Sequence, residues 1–134
     1  MKIEVIIEKD DRGYSVYSEN VKCGTIMGEG KSVEEAKEDF MNTLSEFIET
    51  YKELGERVPA ELINPTFEYR YDVASVLDEF DFINITKFSK LSGINPSLLR
   101  HYKRGDFAIS KRQVQRIEKA LHSIGEKLIS ASLF

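Results

Sequence analysis

The chain has 134 residues, 41% of them hydrophobic, which is enough for one moderate core or two small ones. Its single cysteine, Cys23, excludes an internal disulfide framework, and its longest apolar runs are far too short to span a membrane. The formal net charge of −4 conceals a division, since residues 1–82 carry 9 Lys and Arg against 20 Asp and Glu (net −11), and residues 83–134 carry 10 against 3 (net +7).

Three strands are predicted in the first 30 residues. Ile3, Val5 and Ile7 alternate with more polar residues, as in a half-buried strand, and a second alternating run covers residues 13–18. Two aspartates followed by Arg12 and Gly13 form a turn between these runs, which predicts an antiparallel hairpin. A third, short strand is expected over 25–28, where glycines bound the apolar residues.

A long helix is predicted next. Ser32 and Glu35 form a capping-box pattern at its start, and Gly55 and Pro59 close it. Its apolar face, spaced by three and four residues, consists of Ala36, Phe40, Leu44, Phe47, Ile48 and Tyr51. Alternation over 67–72 predicts a fourth strand. Residues 1–72 are therefore expected to form an α+β domain in which a small antiparallel sheet packs on one long helix.

Residues 73–134 are predicted to form an all-α domain that contains a helix-turn-helix. Its first helix is expected over 73–80. Phe88 and Leu91 lie on one face of a second, short helix, which Gly93 ends.

The third helix of this domain has strong start and stop signals. Asn95 caps it, Pro96 suits its first turn, and Gly105 ends it. Leu99 and Tyr102 keep its inward face apolar. The turn before it has about four residues, a length at which the third helix can enter a DNA major groove.

The outward face of the third helix carries groups that can bind DNA. The predicted DNA-binding residues are Asn95, Ser97, Leu98, Arg100, His101, Lys103 and Arg104, with Lys90 from the preceding helix. Arg100 could pair in bidentate fashion with a guanine edge, which is worth roughly 1 to 3 kcal/mol of base discrimination. The lysines would bind phosphate and position the protein. The alternative is a plain helical hairpin whose charges only keep it soluble.

A final helix is expected to begin after Ser110, which forms a second capping-box pattern with Gln113. Its apolar positions are Val114, Ile117, Leu121, Ile124 and Leu128. These residues either pack on the preceding helices or, at the C-terminal end, contact a second chain, and both can hold. Because the apolar tail 129–134 would be costly to leave in water, and helix-turn-helix proteins commonly bind two half-sites, we expect at least a homodimer.

Acidic residues in the first half raise the alternative of a metal-dependent nuclease, because carboxylates can hold Mg²⁺. They are Asp10, Asp11, Glu34, Glu35, Glu38 and Asp39. Turn formation and the helix dipole account for these positions. His101 and His122 are too far apart in the pattern to suggest a metal pair, and Cys23 lacks an orienting group. We therefore expect no enzymatic activity, no metal and no cofactor.

The order of these elements resembles the HicB family of antitoxins from bacterial toxin–antitoxin systems. The resemblance spans nearly the whole chain, and its N-terminal part rests on Tyr14, Val16, Cys23, Thr25, Gly28 and Glu34-Glu35-Ala36. Residues 18–22 stand where the family has a Pro-Asp-Leu-Pro-like stretch. The resemblance implies a partial ribonuclease H-like domain, without a working active site, that neutralises the HicA toxin, a small basic mRNA-cleaving ribonuclease. It also implies that the C-terminal domain binds operator DNA and represses the operon.

The opposed charges agree with this expectation, because an acidic domain facing a basic toxin gains encounter rate and complementarity. A stand-alone transcriptional regulator whose first domain senses a small ligand is the alternative, and an apolar pocket with converging polar groups would favour it. An interaction module with no DNA role is a third possibility. Since the N-terminus lacks the pattern of a signal peptide, we expect a cytoplasmic protein.

Overall fold

A computed structural model describes all 134 residues. They form two compact units, Met1–Glu79 and Phe80–Phe134. The first unit holds 9 Lys and Arg against 19 Asp and Glu, and the second holds 10 against 4. The two units therefore have opposite net charges, as the uneven distribution along the sequence indicates.

The first unit is built on a four-stranded sheet. β1 (Lys2–Asp10) pairs antiparallel with β2 (Gly13–Ser18), and β2 pairs antiparallel with β3 (Met27–Gly30). The chain continues through α1 (Val33–Glu53) and returns as β4 (Thr66–Tyr71), which lies parallel to β1. The strand order is β3-β2-β1-β4.

The sheet is thus mixed, and the prediction of an antiparallel sheet was wrong for β4. Alternation in a sequence indicates a strand but not its direction. A helical crossover such as α1 allows a later strand to enter the same sheet in parallel orientation, which a short hairpin cannot do. The third strand also lies at 27–30 rather than at the predicted 25–28.

The core of the first unit lies between the sheet and α1. Ile3, Val5 and Ile7 are at most 2% exposed, as their alternation predicted. The residues predicted on the apolar face of α1 are all buried or partly buried against this core: Ala36, Phe40, Leu44, Phe47, Ile48 and Tyr51. A short 3-10 helix at Ala60–Leu62 contributes the buried Leu62.

The start of α1 is fixed by the predicted capping box. The Oγ atom of Ser32 accepts a hydrogen bond from the Glu35 N–H at 3.1 Å. The Glu35 carboxylate returns to the N–H of Lys31 at 2.9 Å. One backbone donor in the first turn of the helix and one just before its N-cap are thereby satisfied.

α1 approaches β3 closely at Gly28. A Cβ atom built at Gly28 would lie 2.2 Å from the backbone nitrogen of Phe40 and 2.6 Å from the carbonyl oxygen of Ala36. Both neighbours are helix backbone atoms, so they cannot move aside as a flexible side chain would. The absence of a side chain at Gly28 therefore sets the distance between α1 and the sheet.

We predict that Gly28→Ala lowers the free energy of unfolding by about 1–3 kcal/mol, because the added methyl group overpacks the contact with α1. Urea unfolding followed by circular dichroism measures the change. Gly125→Ala is the control, since no heavy atom lies within 4 Å of a Cβ built there. Alanine should raise stability at that helical position by about 0.5–1 kcal/mol. A Gly28→Ala variant as stable as the wild type would contradict the close contact.

α2 (Val73–Glu79) belongs to the first unit, so the division falls later than the predicted boundary at 72/73. The predicted helix forms, but it packs with the sheet unit through buried Val73, Ala74 and Leu77. Asp72 holds its start, because one carboxylate oxygen accepts from the Ser75 N–H at 2.8 Å and the other from the Lys9 N–H at 2.9 Å. One carboxylate thus connects β1 with α2.

Lys37 makes a second link between α2 and the rest of the first unit. Its Nζ atom donates to the Glu79 carboxylate at 2.8 Å and to the Tyr71 hydroxyl at 2.9 Å. It also lies 4.3 Å from the centroid of the Tyr69 ring. Burial, followed by the hydrogen bond with Glu79, raises the pKa of Tyr71 above its usual value. α1, β4 and α2 are thus joined around one cation.

The second unit consists of α3 (Ile85–Ser92), α4 (Pro96–Arg104) and α5 (Lys111–Ser130). Its buried hydrophobic residues are Phe88, Ile94, Leu99, Tyr102, Ile117 and Ala120. Leu99 and Tyr102 confirm the predicted inward face of α4. α3 keeps Phe88 and Leu91 on one face, as predicted, but Leu91 is 43% exposed. The buried residues of α3 are Phe88 and Ser92, which are four residues apart. Residues three or four positions apart both lie on the same side of a helix.

α5 begins at the predicted cap, with the Ser110 Oγ atom accepting from the Gln113 N–H at 3.2 Å. Of the predicted apolar positions, Ile117 is buried, whereas Val114 is 39% and Leu128 64% exposed. The residues after Leu128 that are large and apolar, Ile129, Leu133 and Phe134, are also exposed. The end of α5 and the residues after it therefore expose apolar side chains.

Candidate nucleic-acid interface

Two caps and a glycine define the hairpin of α3 and α4. The Asn84 side-chain oxygen caps α3 by accepting from the Lys87 N–H at 3.0 Å, and Gly93 ends α3 with a left-handed φ of 73°. Residues 93–95 connect the two helices, and Ile94 anchors this turn because it is only 2% exposed. The Asn95 side chain then accepts from the Ser97 N–H at 2.8 Å and caps α4 as predicted.

The predicted DNA-binding residues lie on and beside the outward side of α4. Those that are exposed are Lys90, Asn95, Ser97, Arg100 and Arg104, and those that are half-buried are Leu98, His101 and Lys103. Arg100 follows the fully buried Leu99, so the helix presents its guanidinium on the side away from the core. Because the Asn95 side-chain oxygen accepts the capping hydrogen bond, the main role of Asn95 in the hairpin is structural.

His101 and Arg104 belong to a cluster at the end of α4. The Nε atom of Arg104 donates to the Asp106 carboxylate at 2.8 Å, and its Nη2 atom lies 2.8 Å from Nδ1 of His101. That Nδ1 atom lies 3.3 Å from the same Asp106 carboxylate, and the His101 ring stacks on Phe107 at 4.5 Å between centroids. The turn after α4 thus orients both side chains.

Asp106 and Phe107 were not among the predicted site residues. Helical spacing does not identify either residue as part of the site, because both follow α4. They contact its last turn only because the chain turns back at Gly105, where φ is 78°. The sequence signal that could have indicated the contact is an aspartate two residues after an arginine at a helix end. Hydrogen bonds from Arg104, followed by those from His101, hold the pKa of Asp106 below its ordinary value.

We predict that Arg104→Gln raises the pKa of Asp106 toward its ordinary value of 3.8, because the hydrogen bond from Arg104 is the largest cause of the lowering. Carboxyl ¹³C NMR during an acid titration measures this. A lowered pKa means that the stabilisation is present above pH 3.8 and is lost as the pH falls through the folded-state value. Arg100→Gln, the control, should leave the titration of Asp106 unchanged. An identical Asp106 pKa in Arg104→Gln would disprove the pairing in solution.

Two open clefts lie in the first unit. One of about 460 Å³ is lined by charges of both signs: Asp10, Arg12, Glu29, Lys31 and Glu35, with Gly13, Tyr14 and Gly30. The other, of about 320 Å³, is more apolar and is lined by Phe47, Thr50, Tyr51, Leu54 and Glu56.

Two of the carboxylates that line the first cleft, those of Asp10 and Glu35, accept hydrogen bonds from backbone donors. Asp10 accepts from the N–H groups of Arg12 and Gly13 and from the Ser15 hydroxyl, so it stabilises the β1–β2 turn. Asp39, which does not line the cleft, accepts from the Glu29 N–H at 2.9 Å. No group of three or more His, Cys, Asp or Glu side chains is arranged to hold a metal ion.

Cys23 lies near Glu61, whose carboxylate accepts from the Cys23 N–H at 3.1 Å. Burial, followed by the side-chain hydrogen bond with Glu61, raises the pKa of the Cys23 thiol. A raised pKa keeps the group as a thiol, which is a weaker nucleophile than a thiolate.

Nothing among protein-family models, curated proteins or solved structures matches this chain. None of its helices has the length and the apolar character that crossing a membrane requires. Two features of the chain point to a function: the opposite charges of its two units and the exposed polar groups of α4.

Proposed function

We propose that this chain is a HicB-like antitoxin, whose second unit binds operator DNA and whose first unit neutralises a small basic HicA-like ribonuclease. The observation that carries the proposal is the α3–α4 hairpin. Its caps and its three-residue turn hold an exposed Arg100 and Ser97 on one side of α4, within a unit that carries 10 basic residues against 4 acidic ones.

In this proposal α3 and α4 form a helix-turn-helix, and α4 is the recognition helix. Arg100 would pair with a guanine edge in the major groove, where a bidentate contact discriminates bases by about 1–3 kcal/mol. Lys90, at the end of α3, would bind phosphate and fix the orientation. His101 and Arg104 would approach the DNA as a pre-oriented pair, because Asp106 and Phe107 hold them in place.

The protein would bind its operator as a homodimer. Exposed apolar residues at the end of α5 and just after it support this, since Leu128 is 64%, Ile129 88% and Leu133 98% exposed. Burying such side chains gains about 25 cal/mol per Å² of apolar surface. Two symmetrically related copies of α4 would then bind half-sites about one helical turn apart.

The first unit would bind the toxin. Its strand order and its crossover through α1 support the proposal of a partial ribonuclease H-like domain without a working active site. Its net charge, 9 basic against 19 acidic residues, suits a basic RNA-binding protein. A field of opposite sign raises the association rate and favours the correct partner.

The more apolar cleft keeps a second candidate function open, that of a stand-alone regulator whose first unit senses a small ligand. Phe47, Tyr51 and Leu54 supply an apolar surface there, and Thr50 and Glu56 supply polar groups. Ligand pockets combine these features.

We predict that Arg100→Ala weakens binding to operator DNA while leaving binding to unrelated DNA nearly unchanged, because Arg100 would read a base. Lys90→Ala should instead weaken binding to both DNAs and reduce the slope of log K against log salt by about 1. Fluorescence anisotropy at several salt concentrations distinguishes the two effects. Equal losses on both DNAs for Arg100→Ala would remove α4 from the role of recognition helix.

Neutralisation is tested by co-expression with the product of the neighbouring short gene. The full chain should relieve growth arrest caused by a small basic ribonuclease encoded there and should co-purify with it. The Arg100→Ala variant serves as the control, because it should still relieve arrest while failing to repress the promoter. Absence of a toxic partner, together with intact promoter binding, would favour the stand-alone regulator.

A further inference from the structure

One face of the sheet in the first unit is open to solvent. α1 covers the face that carries Ile3, Val5 and Ile7, and the alternate residues of each strand lie on the other side. The strand register places four of these alternate residues in one line across the sheet: Arg70 on β4, Ile6 on β1, Tyr17 on β2 and Met27 on β3. Ile6, Tyr17 and Met27 are here called the apolar row.

Carboxylates lie on both sides of the apolar row. On one side Glu4 pairs in register with Glu68, and the Glu19 N–H donates to the carbonyl oxygen of Glu4 at 2.9 Å. On the other side Glu8 and Glu29 both lie opposite Ser15, on the two strands that flank β2.

The apolar row is a preformed surface. The Tyr17 hydroxyl donates to the Glu8 carboxylate, a hydrogen bond that raises the pKa of Tyr17 to about 12 and holds its ring over the sheet. Ile6 and Tyr17 are half-buried by their strand neighbours, whereas Met27 is 48% exposed. Rigid aromatic and flexible methionine side chains of this kind are enriched at the centres of protein interfaces, inside polar rims.

Charge decides between the possible occupants of this face. Five carboxylates, Glu4, Glu8, Glu19, Glu29 and Glu68, surround the apolar row, against two cations, Arg70 and Lys2. Lys2 is already paired with Glu68 at 2.5 Å. A second copy of the same face would bring like charges together, which disfavours self-association. A basic protein surface would be complementary to it.

We propose that this open face, with the apolar row at its centre, is where the first unit docks its basic protein partner, the toxin. The assignment rests on the proposed antitoxin function and adds the surface that performs it. Lysine and arginine side chains around the partner's RNA-binding cleft would pair with the flanking carboxylates, while an apolar group between them contacts Met27 and Tyr17. Cations that are paired with these carboxylates are no longer available to bind RNA.

The chain offers a matched pair of variants for the test. Met27→Arg with Glu29→Arg changes the open face, and Met41→Arg with Glu38→Arg makes the same substitutions on the solvent side of α1. Met27 and Met41 are comparably exposed, at 48% and 41%, and both glutamates are exposed. Each double variant changes the net charge equally, so a general electrostatic effect weakens both to the same degree.

Calorimetry with the neighbouring-gene toxin, made inactive by replacing its catalytic histidine with alanine, measures the affinity. We expect the affinity for the toxin to fall on the order of 100-fold in the open-face variant and about tenfold or less in the α1 variant. Both variants should retain operator binding, and both should keep the wild-type circular dichroism spectrum, which shows that the first unit is still folded. Equal losses, or a larger loss for the α1 variant, would overturn the assignment. A wild-type chain that binds operator but not the toxin would overturn the antitoxin function itself.

A measurement on the wild-type chain does not depend on any variant. The chain has three methionines, Met1, Met27 and Met41, so ¹³C-methyl labelling gives three resolvable NMR signals. Adding the inactive toxin should shift or broaden the Met27 signal and leave Met41 unchanged. A Met41 shift without a Met27 shift would place the partner on α1, and a Met27 shift on concentrating the chain alone would assign the face to a second copy.

Discussion

The contact between α1 and β3 determines much of the first unit. Because nothing but a hydrogen atom stands at Gly28, the backbone of α1 can lie against the edge of the sheet, and Phe40 and Leu44 can reach the side chains of β1 and β2. A helix seated there covers most of one face of the sheet and leaves the opposite face to solvent. It also carries the chain from the β3 edge to the β4 edge, so β4 must enter parallel to β1.

Neither unit needs its excess of one charge in order to fold. The core of each unit is apolar, and the carboxylates of the first unit and the cations of the second lie mostly at the surface. A surface field of one sign affects solubility, encounter rates and partner choice more than fold. The proposed function offers an explanation for the opposite charges of the two units, because both proposed partners are strongly charged.

Local signals in the sequence predicted the elements well, and contacts between distant residues explain what they missed. Ser32, Asn95 and Ser110 cap helices as expected, because a cap is a hydrogen bond between near neighbours. The placement of α2 depends on Asp72 and Lys37, whose partners are up to 63 residues away along the chain.

In the candidate site, too, local spacing predicted some features and contacts made after the helix ends decided others. The exposed positions of Ser97 and Arg100 followed from helical spacing, since Leu99 and Tyr102 had to face inward. The engagement of Arg104 with Asp106 could not be predicted in this way, because it depends on how the chain turns after Gly105. Leu91 and Ser92 are both on the side of α3 near Phe88, and only packing decides which of them is buried.

The two edges of the sheet bear on how the protein avoids aggregation. An exposed edge strand offers unpaired backbone groups to which another chain can add. β3 has only four residues, two of them glycines, and α1 lies against it, so it is a poor template for such addition. β4 is longer, but Glu68 and Arg70 place charges along it, and its end leads directly into α2. Both edges of the sheet therefore disfavour the addition of a strand from another chain, although one face of the same sheet is open and partly apolar.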